Sequence, residues 1–242
     1  DSFALAVQPI IAMRGRGESG PAVEVFIRLT DSHGRPSTSA EFLRPAERYQ
    51  MMPQIDRWVM NATLTALSGG EIKLPAHRSC AINLSGQTLG DETFLGFVVD
   101  TLDRSGVAPS AICFEVTETA ILSNVQQAQR FIEVLHGIGC EFSLDDFGTG
   151  YSSLSYLKRF PIDTLKIDRA FIKDIKIDHE DATLVKAIIA MGHGLGMDII
   201  AEGVELQEQL EFLGANACDA IQGFLFSKPL PANEIEPLLP KQ

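Results

Sequence analysis

Polar side chains fall repeatedly at the ends of short apolar runs in this sequence: Asn83, Glu115, the adjacent Asp145 and Asp146, Lys166, Glu202 and Gln222. Carboxylates brought together repel one another by about 4 kcal/mol per pair at roughly 4 Å in an effective dielectric of about 20. Divalent cations remove that cost. The donor set is all oxygen, carboxylates with one amide and no nearby His or Cys, which favours Mg²⁺ or Mn²⁺ over zinc. Taken singly, each residue has an ordinary role. Asp146 before Phe147 and Gly148 suits a turn, Glu115 and Glu202 suit helix caps, and Lys166 suits a solvated charge. Six successive runs ending in a polar group are harder to explain that way. Glu24 and Arg28 lie four apart, so in a strand they share a face with Phe26 while Val25, Ile27 and Leu29 face the other way. An ion pair on a half-exposed strand would explain them, but two charges facing an interior are costly unless a ligand or metal meets them. Glu24 lies early in its run, so the end-of-run pattern alone does not select it.

The runs that must carry these residues are Phe3 to Ile10, Val23 to Leu29, Cys80 to Leu84, Ile112 to Val116, Glu141 to Leu144, Thr164 to Ile167, Asp198 to Ala201 and Ala220 to Phe224. Helical periodicity separates most of them, as in Phe131, Val134, Leu135 and Ile138, or Leu184, Val185, Ile188 and Ile189. Strands alternating with helices predict a parallel sheet, and eight of them predict an α/β fold closed into a TIM-like (β/α)8 barrel. The C-terminal rim of such a barrel gathers strand-end residues into one cavity. The first connection, Ala12 to Pro21, contains Gly15, Gly17 and Gly20 and no apolar stripe, and is too short for a crossover. The first strand is therefore expected antiparallel to the second. Two helices, Ala40 to Arg48 and one starting at Pro53, fill the gap before the third strand.

The 242 residues, 45% of them hydrophobic, suit one barrel of roughly 250 residues, so residues 1–242 form a single expected domain. The start at Asp1 suggests a piece of a longer multidomain protein. With 32 acidic against 20 basic residues the net charge is -12, which argues against long nucleic acid as a partner. An anionic phosphate ester would need local cations. Cys80, Cys113, Cys140 and Cys218 are far apart and read as reduced core thiols, which suggests the cytoplasm. No apolar run approaches about 18 residues, so no membrane contact is expected from this segment, although a longer parent could be membrane-tethered. Asp146, Phe147 and Gly148 lack the Gly-rich loop and HRD segment of a kinase. Gly192, Gly194 and Gly196 miss the dinucleotide-binding spacing and look like a helix terminus.

The strings QPI (Gln8 to Ile10), NLS (Asn83 to Ser85), FEVTE (Phe114 to Glu118), DDFGTGYSSL (Asp145 to Leu154), LKID (Leu165 to Asp168), AEGVE (Ala201 to Glu205) and QGF with SKPLP (Gln222 to Phe224, Ser227 to Pro231) resemble the EAL-domain cyclic di-GMP phosphodiesterases over essentially the whole chain. The resemblance implies hydrolysis of cyclic di-GMP to linear pGpG with two Mg²⁺ or Mn²⁺ ions. By matching position, Glu24, Asn83, Glu115 and Asp145 would hold one ion, and Asp145 would bridge to a second held by Asp146 and Glu202. Glu202 has a second implied role as general base, and Lys166 would orient water or neutralise charge. Gln8, Arg28, Gln222, Asp168 and Glu205 fall at substrate-side positions, and Glu118 matches the residue that anchors the loop running on from Asp146. The five carboxylates against Lys166 and Arg28 leave about -3, and two divalent ions bring the site to about +1, suited to an anionic diester. The resemblance also carries an expectation of a homodimer. The signature Glu-Ala-Leu is here Glu24, Val25 and Phe26, and Leu29 and Val7 replace common aromatics. The departures raise a second expectation, a receptor module that binds cyclic di-GMP without cleaving it and signals to other domains. A third, a two-carboxylate glycosidase, leaves Asn83, Lys166 and the adjacent Asp pair unexplained.

Overall fold

Each strand alternates between residues that face helices and residues that face the inside of a barrel, and the computed structural model describes residues 2–13, 15, 19–30, 36–37, 39–148, 159–175 and 179–239 of that barrel. The strands are β1 (Ser2–Pro9), β2 (Ile11–Ala12), β3 (Pro21–Thr30), β4 (Pro36–Ser37), β5 (Ser79–Asn83), β6 (Ile112–Thr117), β7 (Glu141–Phe147), β8 (Thr164–Ile167), β9 (Asp198–Ala201), β10 (Ala220–Ile221) and β11 (Leu230–Pro231). Among the described residues the helices are α1 (Ser39–Arg48), α2 (Met52–Ser68), α3 (Gly86–Leu89), α4 (Phe94–Ser105), α5 (Glu118–Ser123), α6 (Val125–Gly137), α7 (Arg169–Lys173), α8 (His179–Gly194) and α9 (Gln207–Ala215).

From β3 through β5, β6, β7, β8 and β9 to β10 the neighbours are parallel. β1 runs antiparallel to β3, as the short first connection requires, and sets Gln8 opposite Glu24. After Ile10 the same stretch continues as β2 and pairs antiparallel with β10 through Ala12 and Ala220, and Ile11 and Ile221. One length of chain therefore touches both flanks of the parallel set and closes the TIM-like barrel. Residues 14 and 16–18 of the connection, and Thr149 to Leu154 of the long string, lie outside the described residues.

The outward faces make the main core. Phe114 of β6 and Phe142 of β7 have ring centroids 5.6 Å apart, and both meet Phe131 of α6. Burial of each such ring stabilises the fold by about 1.5–3 kcal/mol. Since Phe114, Phe142 and Leu144 face outward, Glu115, Ser143 and Asp145 must face the interior. Ile10, Ile200 and Ala220 form a small separate apolar cluster. The four cysteines are buried and free, and burial pushes the Cys140 and Cys218 thiols up to about 12, so they pack as inert apolar groups.

The last expected strand is shorter than Ala220 to Phe224. The Gln222 N–H still donates to the Ala201 carbonyl at 2.9 Å, but Gly223 lies so close to the Val204 backbone that a Cβ there would collide with it, and the chain turns away. The glycines at 192, 194 and 196 end α8 as read, with Gly196 at φ +80. Among the described residues no helix is long and apolar enough to cross a membrane.

Candidate metal and catalytic site

Two adjacent residues in a regular strand point to opposite faces, so Asp145 and Asp146 need a device to serve one site. That device is a β-bulge. Leu144 pairs with Leu165 and Phe147 with Ile167, which sets two residues of β7 against Lys166 alone on β8. Asp146 adopts φ 55, a left-handed conformation that Asp tolerates better than most residues. Its N–H donates to Asp145 Oδ1 at 2.9 Å. One oxygen from each of Asp145, Asp146 and Glu202 lies within 4.8 Å of the other two.

Lys166 is fully buried at the centre of the acidic groups. Its Nζ is 2.9 Å from Glu24 Oε2, 2.9 Å from Glu115 Oε1, 2.6 Å from Glu202 Oε1 and 3.8 Å from Asp145 Oδ1. Lys166 is thus a buried hub and not the solvated charge that its ordinary role would make it. Glu24 is held from three sides: Asn83 Nδ2 donates to Oε1 at 2.6 Å, Gln222 Nε2 donates to Oε2 at 2.8 Å, and Lys166 completes the set. Gln222 also donates to Gln8 Oε1 at 3.1 Å, and Gln8 in turn donates to the Ser227 carbonyl at 2.9 Å. Neither Glu115 nor Glu202 caps a helix: Thr117 caps α5, and α9 starts after Leu206.

The electrostatics follow from crowding. Burial raises the Glu115 carboxyl, the charge of Glu24 raises it further, and it stands well above the ordinary carboxylate value. Burial would lower Lys166, but Glu115, Glu202, Glu24 and Asp145 hold it well above its usual value. For Glu24, burial is outweighed by Lys166, Asn83 and Gln222, and its carboxyl lies below the usual value. Glu202 is pushed up to about 7 by burial, with Asp145 and Glu24 adding to the effect and Lys166 opposing it. Asp146 is pushed up to about 6 by burial, then by Asp145 and Asp168.

One lysine cannot balance five carboxylates, and two acceptors still lack partners. Glu115 Oε2 and Gln222 Oε1 are buried and accept no hydrogen bond from any described residue. Orphaned buried oxygens in an all-oxygen donor set fit a hard divalent cation.

A cleft of about 600 Å³ opens over the cluster, within the range of about 300–1,000 Å³ usual for small-molecule sites. Its lining combines polar groups, Glu24, Asn83, Asp145, Glu202, Gln222 and Gln8, with the apolar Leu43, Met52, Ile55, Val59 and Leu84. Phe26, Arg28 and Glu205 also line it. Asp168 does not. Its carboxylate accepts from the Ala170 N–H at 2.8 Å and caps α7, so the structure gives it a capping place beside Asp146 rather than a place in the cleft wall. Glu118 opens α5, and most of the loop assigned to it lies outside the described residues. Sequence reasoning missed Arg169 and Phe224, which both line the cleft. Their signals were available: Arg169 directly follows LKID, and Phe224 ends QGF as a large aromatic left half exposed.

Known proteins resemble this chain in sequence and fold. NbdA of Pseudomonas aeruginosa, named a cyclic di-GMP phosphodiesterase, is 37% identical over 239 residues, which cover 99% of this chain and 30% of NbdA. MucR of the same organism, named a bifunctional diguanylate cyclase/cyclic di-GMP phosphodiesterase, is 38% identical over 223 residues, 90% of this chain and 32% of MucR. The chain thus spans about a third of the length of the curated relatives it matches. Among solved structures, the PaMucR phosphodiesterase in complex with c-di-GMP matches with TM-score 0.87 at 36% identity, covering 96% of this chain and 94% of that one. The Pseudomonas aeruginosa FimX EAL domain bound to c-di-GMP gives TM-score 0.86 at 27% identity, covering 95% and 91%. The EAL domain profile matches residues 1–229, and the chain belongs to the EAL domain family.

Proposed function

We propose that the chain hydrolyses one phosphodiester bond of cyclic di-GMP to give linear pGpG, using a pair of Mg²⁺ or Mn²⁺ ions. The observation that carries this reading is the convergence of Glu24, Glu115, Asp145 and Glu202 on one buried lysine at the foot of an open cleft. Relatives and structural neighbours named for the same nucleotide support it. Glu24, Asn83, Glu115 and Asp145 would hold one ion, and Asp145, Asp146 and Glu202 the other. When bound, the ions supply Lewis acidity that activates water at neutral pH and stabilises the departing oxygen.

The remaining steps belong to the chain's own side chains. Glu202, in its role as general base, accepts the proton that the attacking water gives up. Lys166 keeps the carboxylates from splaying and offsets the negative charge gathering on the phosphoryl oxygens. Arg28 meets the diester from β3, Glu205 meets the substrate from the cleft lining, and the apolar lining with Phe224 and Phe26 accepts a guanine base. Gln8 and Gln222 act mainly through Glu24, which they hold in place. The bond to the ribose oxygen breaks as the new P–O bond forms.

The test is pGpG formation from cyclic di-GMP with Mn²⁺ or Mg²⁺, with linear pGpG as a second substrate and EDTA as a control. No turnover at micromolar enzyme sinks the proposal. A second reading, a receptor that binds the nucleotide without cleaving it, draws on Phe26, whose bulk in the cleft could hold the diester away from the carboxylates. Tight binding with intact ligand after long incubation with metal would favour that reading.

A further inference from the structure

We propose that Ser143 is a positioning residue for Glu115, acting through one water held inside the barrel between the Ser143 hydroxyl and Glu115 Oε2. The inference rests on the metal-dependent reading of the site. Ser143 and Glu115 are direct register partners on β7 and β6. Both face the interior, because their neighbours Phe142, Leu144, Phe114 and Val116 belong to the outward core. Ser143 is 0% exposed and Glu115 1%. Ser143 Oγ and Glu115 Oε2 have no hydrogen-bond partner among the described residues, while Glu115 Oε1 is taken by Lys166 Nζ at 2.9 Å.

A buried hydroxyl and a buried carboxylate oxygen on neighbouring strands, neither bonded to the other, need something between them. Parallel strands lie about 4.8 Å apart, a gap that a single water can span. Such a water accepts the Ser143 proton and donates to Glu115 Oε2. Buried waters make about three hydrogen bonds, and the buried Thr164, the register partner of Ser143 on β8, offers a further hydroxyl. Anchored by the water at Oε2 and by Lys166 at Oε1, Glu115 is fixed in rotation, and the second lone pair of Oε2 stays available to a cation. Partners of this kind set how well a ligand is preorganised for its metal.

The experiment compares wild type with Ser143→Ala, which removes one oxygen and no packing atom. Mn²⁺ affinity is read by electron paramagnetic resonance, beside metal-free melting and crystal structures of both proteins. The expected result is a 10- to 100-fold loss of Mn²⁺ affinity in the variant, with a water between Ser143 and Glu115 in wild type that is displaced in Ser143→Ala. A variant whose Mn²⁺ affinity stays within twofold of wild type overturns the proposal, whatever its melting temperature, and so does wild-type density with no water within reach of both atoms. A wild type that binds no Mn²⁺ overturns the metal reading along with it. Wild-type binding with an unchanged variant overturns the Ser143 role alone.

Discussion

Lys166 holds together carboxylates that would otherwise push apart, and removing its charge isolates that contribution. Lys166→Met leaves buried carboxylates without their counter-charge, so the metal-free protein should lose about 3–5 kcal/mol. Saturating Mn²⁺ should restore part of the loss, because cations then carry the neutralisation. Urea unfolding with and without Mn²⁺ measures both effects, and an equal deficit in the two conditions would contradict the hub role. Asp56 on α2, which also lines the cleft, offers a second titration. It is buried, and its Oδ2 accepts from the Ser85 N–H at 3.0 Å and the Thr88 hydroxyl at 2.5 Å. Burial raises its carboxyl above 3.8, with Thr88 and Ser85 pulling the other way. A raised carboxyl favours the proton in the native state, so its contribution is complete below 3.8 and is lost as pH rises through the folded value. Asp56→Asn removes that titration and keeps an acceptor. As pH rises from about 3.8 the wild type should lose stability relative to the variant, as read from urea midpoints; parallel profiles would show that Asp56 does not titrate abnormally. At this scale the strand-end residues are legible because a barrel sends strand ends to one rim. The burial of Lys166 is not, because it depends on four strands meeting around it.

The bulge in β7 shows where element-scale reading stops. Alternation locates the strand, and the Asp145, Asp146 pair marks its chemistry, but the register shift that lets both side chains serve one site is a property of β7 against β8 and has no local signal. The closing role of β2 is hidden for the same reason: two residues carry too little pattern to be read as a strand. The cut-short β10 traces to Gly223 against Val204, a contact between segments far apart in the chain's path. Gly203 of the AEGVE string illustrates what such contacts cost. It combines φ +66 with an approach to Arg169 that leaves no room for a Cβ, whereas Gly15 has φ +74 and nothing within 4 Å among the described residues. Gly15→Ala should therefore cost only the conformational term of about 1–2 kcal/mol, and Gly203→Ala that term plus overpacking of about 1–3 kcal/mol. Denaturant midpoints of the two variants decide it. A Gly203→Ala protein no less stable than Gly15→Ala would mean that α7 gives way easily at Arg169.

Across the whole molecule, the net charge of -12 and the buried acidic cluster both work against the folded state without cations, through self-repulsion and through desolvated carboxylates. These two effects separate experimentally. Screening of surface charge needs only ionic strength, while the cluster needs a divalent ion seated among Glu24, Glu115, Asp145 and Glu202. At a hundredfold excess over its dissociation constant, a ligand that binds only the native state stabilises it by about 2.7 kcal/mol. For a chain of this size that raises the melting temperature by roughly 5–10 °C. Mn²⁺ should therefore shift the thermal transition by that amount at constant ionic strength, and Glu115→Gln should remove most of the shift while keeping the buried volume. Sodium chloride at matched ionic strength should give a smaller rise, equal in the wild type and the variant. If the salt reproduces the Mn²⁺ shift in full, general screening of an acidic protein accounts for the stabilisation, and the carboxylates around Lys166 bind no ion of consequence.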